Sequence, residues 1–390
     1  MSRIQRVSQH AIARELRAIV GTLLVASVSI SESLSSQNRS RGGTVLTVDR
    51  VPFFDTSKQL SADSAILLGP PMGMTRLRNG VVVVADNKAT TVRFFSAAGN
   101  LVSSVGRYGS GPREFQLVQL VGHCGTDTLL FVDEANMRFS FLAHDGRFLG
   151  TRKYTVPLQR IDCGLSGTVV EARDRGSSLP VASVAHRGTV SVSLRSFRDS
   201  LSMTVLEVAG GERQRWPSAD GPRPLGKKTV IAVGKDVLFI GTGDSAKIRV
   251  FDLRGREQRS IPLAYRAVSI KRSDIQRFLE YLAERNPGVS RGRIEDTYGR
   301  LEYPETFPLH GEMLVDPIGR LWVEEYRPPW AATSRWSVVG SGGAVEAVVM
   351  LPDRFRLAEV GRDYLLGSWR DEDDVDHVRA YRFAERKLPE

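Results

Sequence analysis

NGVVVVADNKATTVRFFSAAGNLVSSVGRYGSGPREF, residues 79–115, decides the fold. Val81 to Ala85 is a continuous run dominated by β-branched residues, the pattern of a strand buried on both faces. Val92 to Phe95 and Leu101 to Val105 are two more short runs. The turns Asp86-Asn87-Lys88 and Ala98-Gly99-Asn100 separate them. Strands this short are not stable alone, so the unit must stack on copies of itself.

Working outward, the copies are found. Val84-Ala85-Asp86 matches Phe131-Val132-Asp133, and Arg93-Phe94-Phe95 with Gly99 matches Arg138-Phe139-Ser140-Phe141 with Gly146. The aspartates are 47 residues apart and the arginines 45, a blade-sized period. Residues 156–212 read as a longer, degenerate blade, and Arg213 to Lys228 as its Pro/Gly-rich link to the next. Residues 229–263 return to the pattern through Arg249-Val250-Phe251 and Gly255, and 302–352 and 353–387 supply two more units. Thr44 to Phe54 alternates like a strand but has no partner nearby in sequence, so it is expected to complete the last blade and close the ring. The prediction is an all-β, six-bladed β-propeller over residues 44–390.

One helix interrupts the strand order. Ser273-Asp274-Ile275-Gln276 reads as a capping box with Ser273 at the N-cap. Ile275, Phe278, Leu279 and Leu282 form one apolar stripe, and Pro287-Gly288 stops it. The insertion is placed at 264–300.

Residues 1–31 have the form of an export signal. A basic stretch ends near Arg17, an apolar run covers Ala18 to Ile30, and small residues follow for cleavage. Residues 32–43 should be a flexible leader. The expected product is periplasmic or extracellular, monomeric, and without a transmembrane span in the mature chain. Of the formal charge of +10, the first 31 residues contribute +3, leaving +7 spread over the rest without a Lys/Arg run. A nucleic-acid partner is therefore not expected, and a polyanion binder is a third-rank alternative. The two cysteines, Cys124 and Cys163, are too few for a zinc framework. Each begins the same turn of neighbouring units, and export favours oxidation, so they are expected to form a disulfide, with two buried thiols as the alternative.

V-V-V-A-D-N (82–87), V-R-F-F-x-x-x-G (92–99) and G-R-Y-G-S-G-P-R-E-F (106–115) resemble the NHL-like six-bladed propellers of exported bacterial proteins. G-R-L-W-V-E-E-Y (319–326) looks like a further strand-turn signal of that group. The resemblance implies a central channel and a binding face. It does not imply one activity, because members include enzymes, receptors and adaptors.

Acidic or amide residues recur at the ends of second strands: Asp86 with Asn87, Asp133, Asp244, Glu324 with Glu325, and Asp371. Equivalent positions share one face, so these side chains could ring the channel mouth and hold calcium, which wants several such oxygens. Alternatively, each caps its own turn. The histidines at 123, 144, 186, 310 and 377 are dispersed, with no pair to shuttle a proton. The Gly-rich stretch 106–111 lacks the G-K-[ST] and the helix of a phosphate loop. Tyr326 and Trp330 flank Pro328-Pro329 and suit a partner surface, whereas Trp322 and Trp336 suit the core. The expectation is a non-catalytic propeller with no obligatory cofactor, binding a protein, peptide or glycan through its channel face. The rival is a calcium-type hydrolase of a lactone or small ester.

Overall fold

Residues 44–59, 71–154, 160–163, 167–174, 185–196, 203–216 and 220–387 are described by the computed structural model. The expected export signal and leader lie outside these residues. Short β-branched runs with tight turns between them pair as antiparallel meanders. Blade 1 orders Pro71–Arg76, Val82–Asp86, Thr91–Phe95 and Leu101–Val105 from the axis outward, and blade 2 repeats this with Val118–His123, Thr128–Asp133, Arg138–Ala143 and Phe148–Lys153. Blade 4 is Val230–Val233, Val237–Gly241, Lys247–Asp252 and Glu257–Pro262. Blade 5 is His310–Val315, Leu321–Glu325, Arg335–Val339 and Val345–Met350. Blade 6 is Phe355–Val360, Tyr364–Arg370 and Asp376–Lys387, with Thr44–Val48 as its outer strand. Phe54–Asp55 pairs with the same long strand, Phe54 opposite Ala380. The N-terminal strand thus closes the last blade, as its lack of a local partner predicts.

The first strand of every blade touches the first strands of both neighbours, including blade 6 against blade 1, so the ring is complete. Stability comes from between the blades. Val83, Phe94, Leu120 and Phe131 join blades 1 and 2, while Trp322 and Trp336 pack against Phe355, Leu365 and Tyr381 to join blades 5 and 6. Gly73 (φ +93°) marks how closely the inner strands approach: a Cβ there would sit 2.0 Å from the Leu120 carbonyl oxygen. At the join of blades 6 and 1, Glu359 accepts hydrogen bonds from the Thr75 hydroxyl, the Tyr364 hydroxyl (2.5 Å) and the Arg76 amide (3.3 Å). A disulfide joins Cys124, just past the first strand of blade 2, to Cys163 at the end of the first strand of blade 3, with Cα atoms 5.1 Å apart.

Two features differ from the sequence reading. Blade 3 has five strands: Arg160–Cys163, Thr168–Asp174, Ala185–Ser196, Met203–Arg215 and Asp220–Pro222. The segment read as a link beginning at Arg213 is therefore partly sheet, because Arg213 and Gln214 pair with both neighbouring strands. The insertion holds two helices, α1 (Arg272–Arg285) and α2 (Arg291–Tyr298). The N-cap of α1 is Lys271, not Ser273, because the Asp274 carboxylate reaches back to accept the Lys271 amide at 2.8 Å. Among the described residues no helix is long and apolar enough to cross a membrane.

Candidate ligand-binding site

Strand direction decides which loops share a face. Second strands end, first and third strands begin, and blades connect on the same rim. Because α1 and α2 lie in the connector between blades 4 and 5, they rise from this rim. So does a wall built by blade 3. Its second strand ends with Asp174 opposite Val190, but its third and fourth strands continue their own pairing from Thr189 opposite Ala209 to Ala185 opposite Gln214. Wall and insertion are tied together. Arg223 donates to the carbonyls of Glu302 (3.0 Å) and Tyr303 (2.8 Å), Lys227 donates to that of Thr306 (3.1 Å), and the Trp216 ring sits edge-on to Tyr298 at 5.2 Å.

Beneath them is a cavity of about 220 Å³. Its apolar lining comes from Leu225, Val230, Phe278, Pro308, Tyr326 and Pro329, and its polar lining from Arg223, Lys228, His310, Glu312, Glu324 and Arg327. Phe278, from the apolar stripe of α1, is buried against Tyr298, Tyr303 and Trp330. Tyr326 stacks on Phe307 with centroids 5.4 Å apart. Tyr326 and Trp330 are therefore half-buried in one aromatic cluster under the insertion, and Tyr326 alone of the two lines the cavity.

His310 is buried, and both its ring nitrogens are engaged. The Gly243 amide donates to Nε2 (3.1 Å), so Nδ1 carries the proton and donates to the Gly311 carbonyl (3.0 Å). Burial holds its pKa below the ordinary imidazole value. Glu324 is buried too. Its Oε2 accepts the Glu312 amide at 3.2 Å, and its Oε1 lies 3.6 Å from Arg327 Nε. Desolvation pushes its pKa up, and the amide and Arg327 only partly offset this. Arg327 makes no other ion pair or hydrogen bond through its side chain among the described residues, and exposed Lys228 makes none through its ammonium.

Of the seven second-strand positions predicted from sequence, Glu324 is the one that lines this cavity. The others are spread around the ring, where Asp86, Asp133 and Asp371 accept turn or connector amides and Asp244 and Glu325 pair with arginines. Asp86 is buried, accepts the Lys88 and Ala89 amides and pairs with Arg93 at 2.9 Å; beside it, the buried Asn87 Oδ1 has no hydrogen bond among the described residues. Asp133 accepts the Leu117 amide (3.1 Å) and the Asn136 side chain (2.6 Å). Asp244 pairs with Arg187 and accepts the Thr242 hydroxyl, Glu325 accepts from Arg335 (2.6 Å), and Asp371 accepts the Val375 amide (2.8 Å) and contacts His377 (2.6 Å). Among the described residues no three His, Cys, Asp or Glu side chains gather as a metal site. The sequence showed no paired histidines, yet His123 Nδ1 and His144 Nε2 lie 3.2 Å apart on the opposite rim, brought together by two turns of blade 2. Arg327, Lys228, His310 and the blade 3 wall were not singled out from sequence. The one signal that could have found them is that all flank the two stretches where the repeat is broken.

No protein-family model matches the chain, and no curated protein sequence matches it. Solved structures do resemble it. A member of the DUF4221 family from Bacteroides vulgatus matches at 10% identity over 90% of this chain and 100% of that one, with a TM-score of 0.53. A putative exported protein from Bacteroides fragilis matches at 12% identity over 88% and 96%, with a TM-score of 0.48. The likeness concerns the fold.

Proposed function

We propose that the protein is an exported, non-catalytic propeller of the NHL-like kind, which engages a protein, peptide or glycan partner on the face carrying α1 and α2. The observation that carries this reading is the cavity, where an apolar wall, a buried carboxylate and an arginine with unbonded terminal nitrogens converge from blades 3, 4 and 5 and the insertion. That combination of an apolar lining with a few placed polar groups is what small-ligand recognition needs. The lining histidine, His310, favours binding over hydrolysis, since both of its nitrogens are committed to backbone groups and neither is open to activate water. The rival hydrolase would need a free base and a set of calcium oxygens.

A thermal-unfolding screen against short peptides and oligosaccharides tests the reading, run beside calcium-dependent hydrolysis of a lactone and an aryl ester. Ligands that raise the midpoint of the natural chain and not of Glu324→Gln support it, because binding to the folded state stabilises by mass action. Calcium-dependent turnover abolished in Glu324→Gln would replace it with the hydrolase. Export is checked separately, by the N-terminal sequence of the protein recovered from its native compartment.

A further inference from the structure

We propose that the cavity receives the C-terminal residue of a peptide, with its free carboxylate held by Arg327 and Lys228. The inference rests on the binding reading of the same cavity and narrows it to one chemistry. Three observations carry it. First, cationic nitrogens in the cavity keep hydrogen-bond donors open. Arg223 is spent on Glu212, Glu302 and Tyr303, whereas Arg327 keeps its two terminal nitrogens and Lys228 its ammonium without a hydrogen bond among the described residues. A guanidinium fork with both terminal nitrogens open fits a carboxylate with two parallel hydrogen bonds.

Second, the buried carboxylate of the lining, Glu324, is oriented as an acceptor. Glu324 is fixed by the Glu312 amide on Oε2 and leaned on by Arg327 at Oε1. Gly311 permits this position, since a Cβ there would lie 2.5 Å from Glu324 Oε2. The remaining lone pairs of Glu324 can accept the backbone N–H that every peptide C-terminus offers next to its carboxylate. Third, the size and wall favour one amino-acid residue over a sugar. At about 220 Å³ the space is below the roughly 300–1,000 Å³ of drug-sized sites. A sugar ring wants a bare aromatic face, but Tyr326 is stacked on Phe307 and Phe278 is packed against three other rings. Leu225, Val230 and Phe278 leave instead an apolar lining suited to an aliphatic side chain.

The test uses the whole folded protein and three probes: acetyl-Ala-Ala-Leu as the free acid, the same peptide as its C-terminal amide, and a trigalacturonate. Trp330, packed on the cavity wall, reports occupancy by fluorescence, and calorimetry gives the affinity. The free acid should bind at least tenfold more tightly than the amide. Arg327→Gln with Lys228→Gln should erase the difference, while Arg259→Gln on the far rim should leave it intact. Equal binding of acid and amide would overturn the proposal and leave the binding reading standing. Binding of trigalacturonate in preference to the free acid would also overturn it, in favour of an acidic glycan. If none of the three probes binds, the peptide proposal fails, and the broader reading is then judged by its own screen and hydrolysis assays.

Discussion

Replacing Phe54 by Ala measures what closing the ring is worth. Phe54 is 1% exposed and lies in the core cluster between the last and first blades, which holds Val82, Val84 and Phe95 of blade 1 and Leu366, Val378 and Ala380 of blade 6. Its neighbours hold the segment in place: Asp55 pairs with Arg379 at 2.9 Å, and the Thr56 hydroxyl accepts the Val378 amide at 3.0 Å. The Asp55 carbonyl also presses on the turn of blade 1, where a Cβ at Gly99 would come within 2.8 Å of it. With so little room to collapse, the truncation should leave most of its cavity open and cost about 3–5 kcal/mol. That is a large part of the roughly 5–15 kcal/mol that holds a typical domain folded. Urea unfolding followed by tryptophan fluorescence gives the loss, and amide exchange in Asp376–Lys387 shows whether it is felt in the strand that Phe54 pairs with. Val102→Ala is the control, 63% exposed on an outer strand and expected to stay within about 0.5 kcal/mol of the natural chain. If Phe54→Ala changes no more than Val102→Ala, the N-terminal segment lies on the ring without closing it.

The disulfide and the histidine pair give two further predictions. The 39-residue separation of Cys124 and Cys163 makes the bridge worth about 4 kcal/mol in the chain-entropy model, so the double Cys→Ala variant should unfold at clearly lower urea, and an unchanged midpoint would refute this. For His123 and His144, burial is the first cause that holds both pKa values below the ordinary imidazole value; Arg78 adds to it, while Asp127 and Asp145 oppose it at His144. With folded values depressed, the stabilisation is present above the unfolded value of about 6.5 and is lost as pH falls through the folded ones. A stability-against-pH profile should therefore drop on that acid limb, and the drop should shrink in a His123→Gln, His144→Gln variant; identical limbs would refute the assignment.

The fold was legible because each blade repeats one local instruction. Apolar runs of five or six residues, a Gly or Asp turn, and an Arg-x-Phe run suffice to identify blades 1, 2 and 4, and the orphan strand at Thr44 can only belong at the other end of the chain. Blade 3 was harder to delimit: Arg213 to Lys228 is rich in Pro and Gly, yet part of it pairs as sheet because long neighbouring strands offer it hydrogen-bond partners. The stripe containing Phe278 located α1, but α2 buries little beyond Ile294, which is too weak a pattern to read from sequence. The site was legible only at Glu324 and Tyr326. Asp86 and Asp133 share a strand position with Glu325, next to Glu324, but whether a carboxylate faces a cavity or its own turn depends on the amides of that turn. His310 gave no sign of its role, because the Gly243 amide that bonds its Nε2 is a backbone group that only the ring brings to it.

The place of the cavity follows from a lapse in the repeat. The last residue of a second strand carries a charge that locks the rim: Asp86 to Arg93 in blade 1, Asp133 to Arg138 in blade 2 and Glu325 to Arg335 in blade 5, each opposite the first residue of its first strand, and, with the charges exchanged and one residue further along, Arg370 to Asp376 in blade 6. In blade 4 that position, opposite Val230, is Gly241. A side chain there could not be accommodated, since a Cβ would fall 2.4 Å from the His310 ring. Blade 5 thus reaches into the space that the missing lock leaves, and His310 bonds to the Gly243 amide where a blade 4 side chain would otherwise have capped the turn. This contact pins the end of the connector to blade 4 directly above Val230. The connector, relieved of any need to seal that rim itself, can carry α1 and α2 outward as a roof. A ring of near-equivalent blades offers the same rim six times; among blades 1, 2, 4, 5 and 6 it is blade 4 that lacks this lock, and the cavity lies beside it.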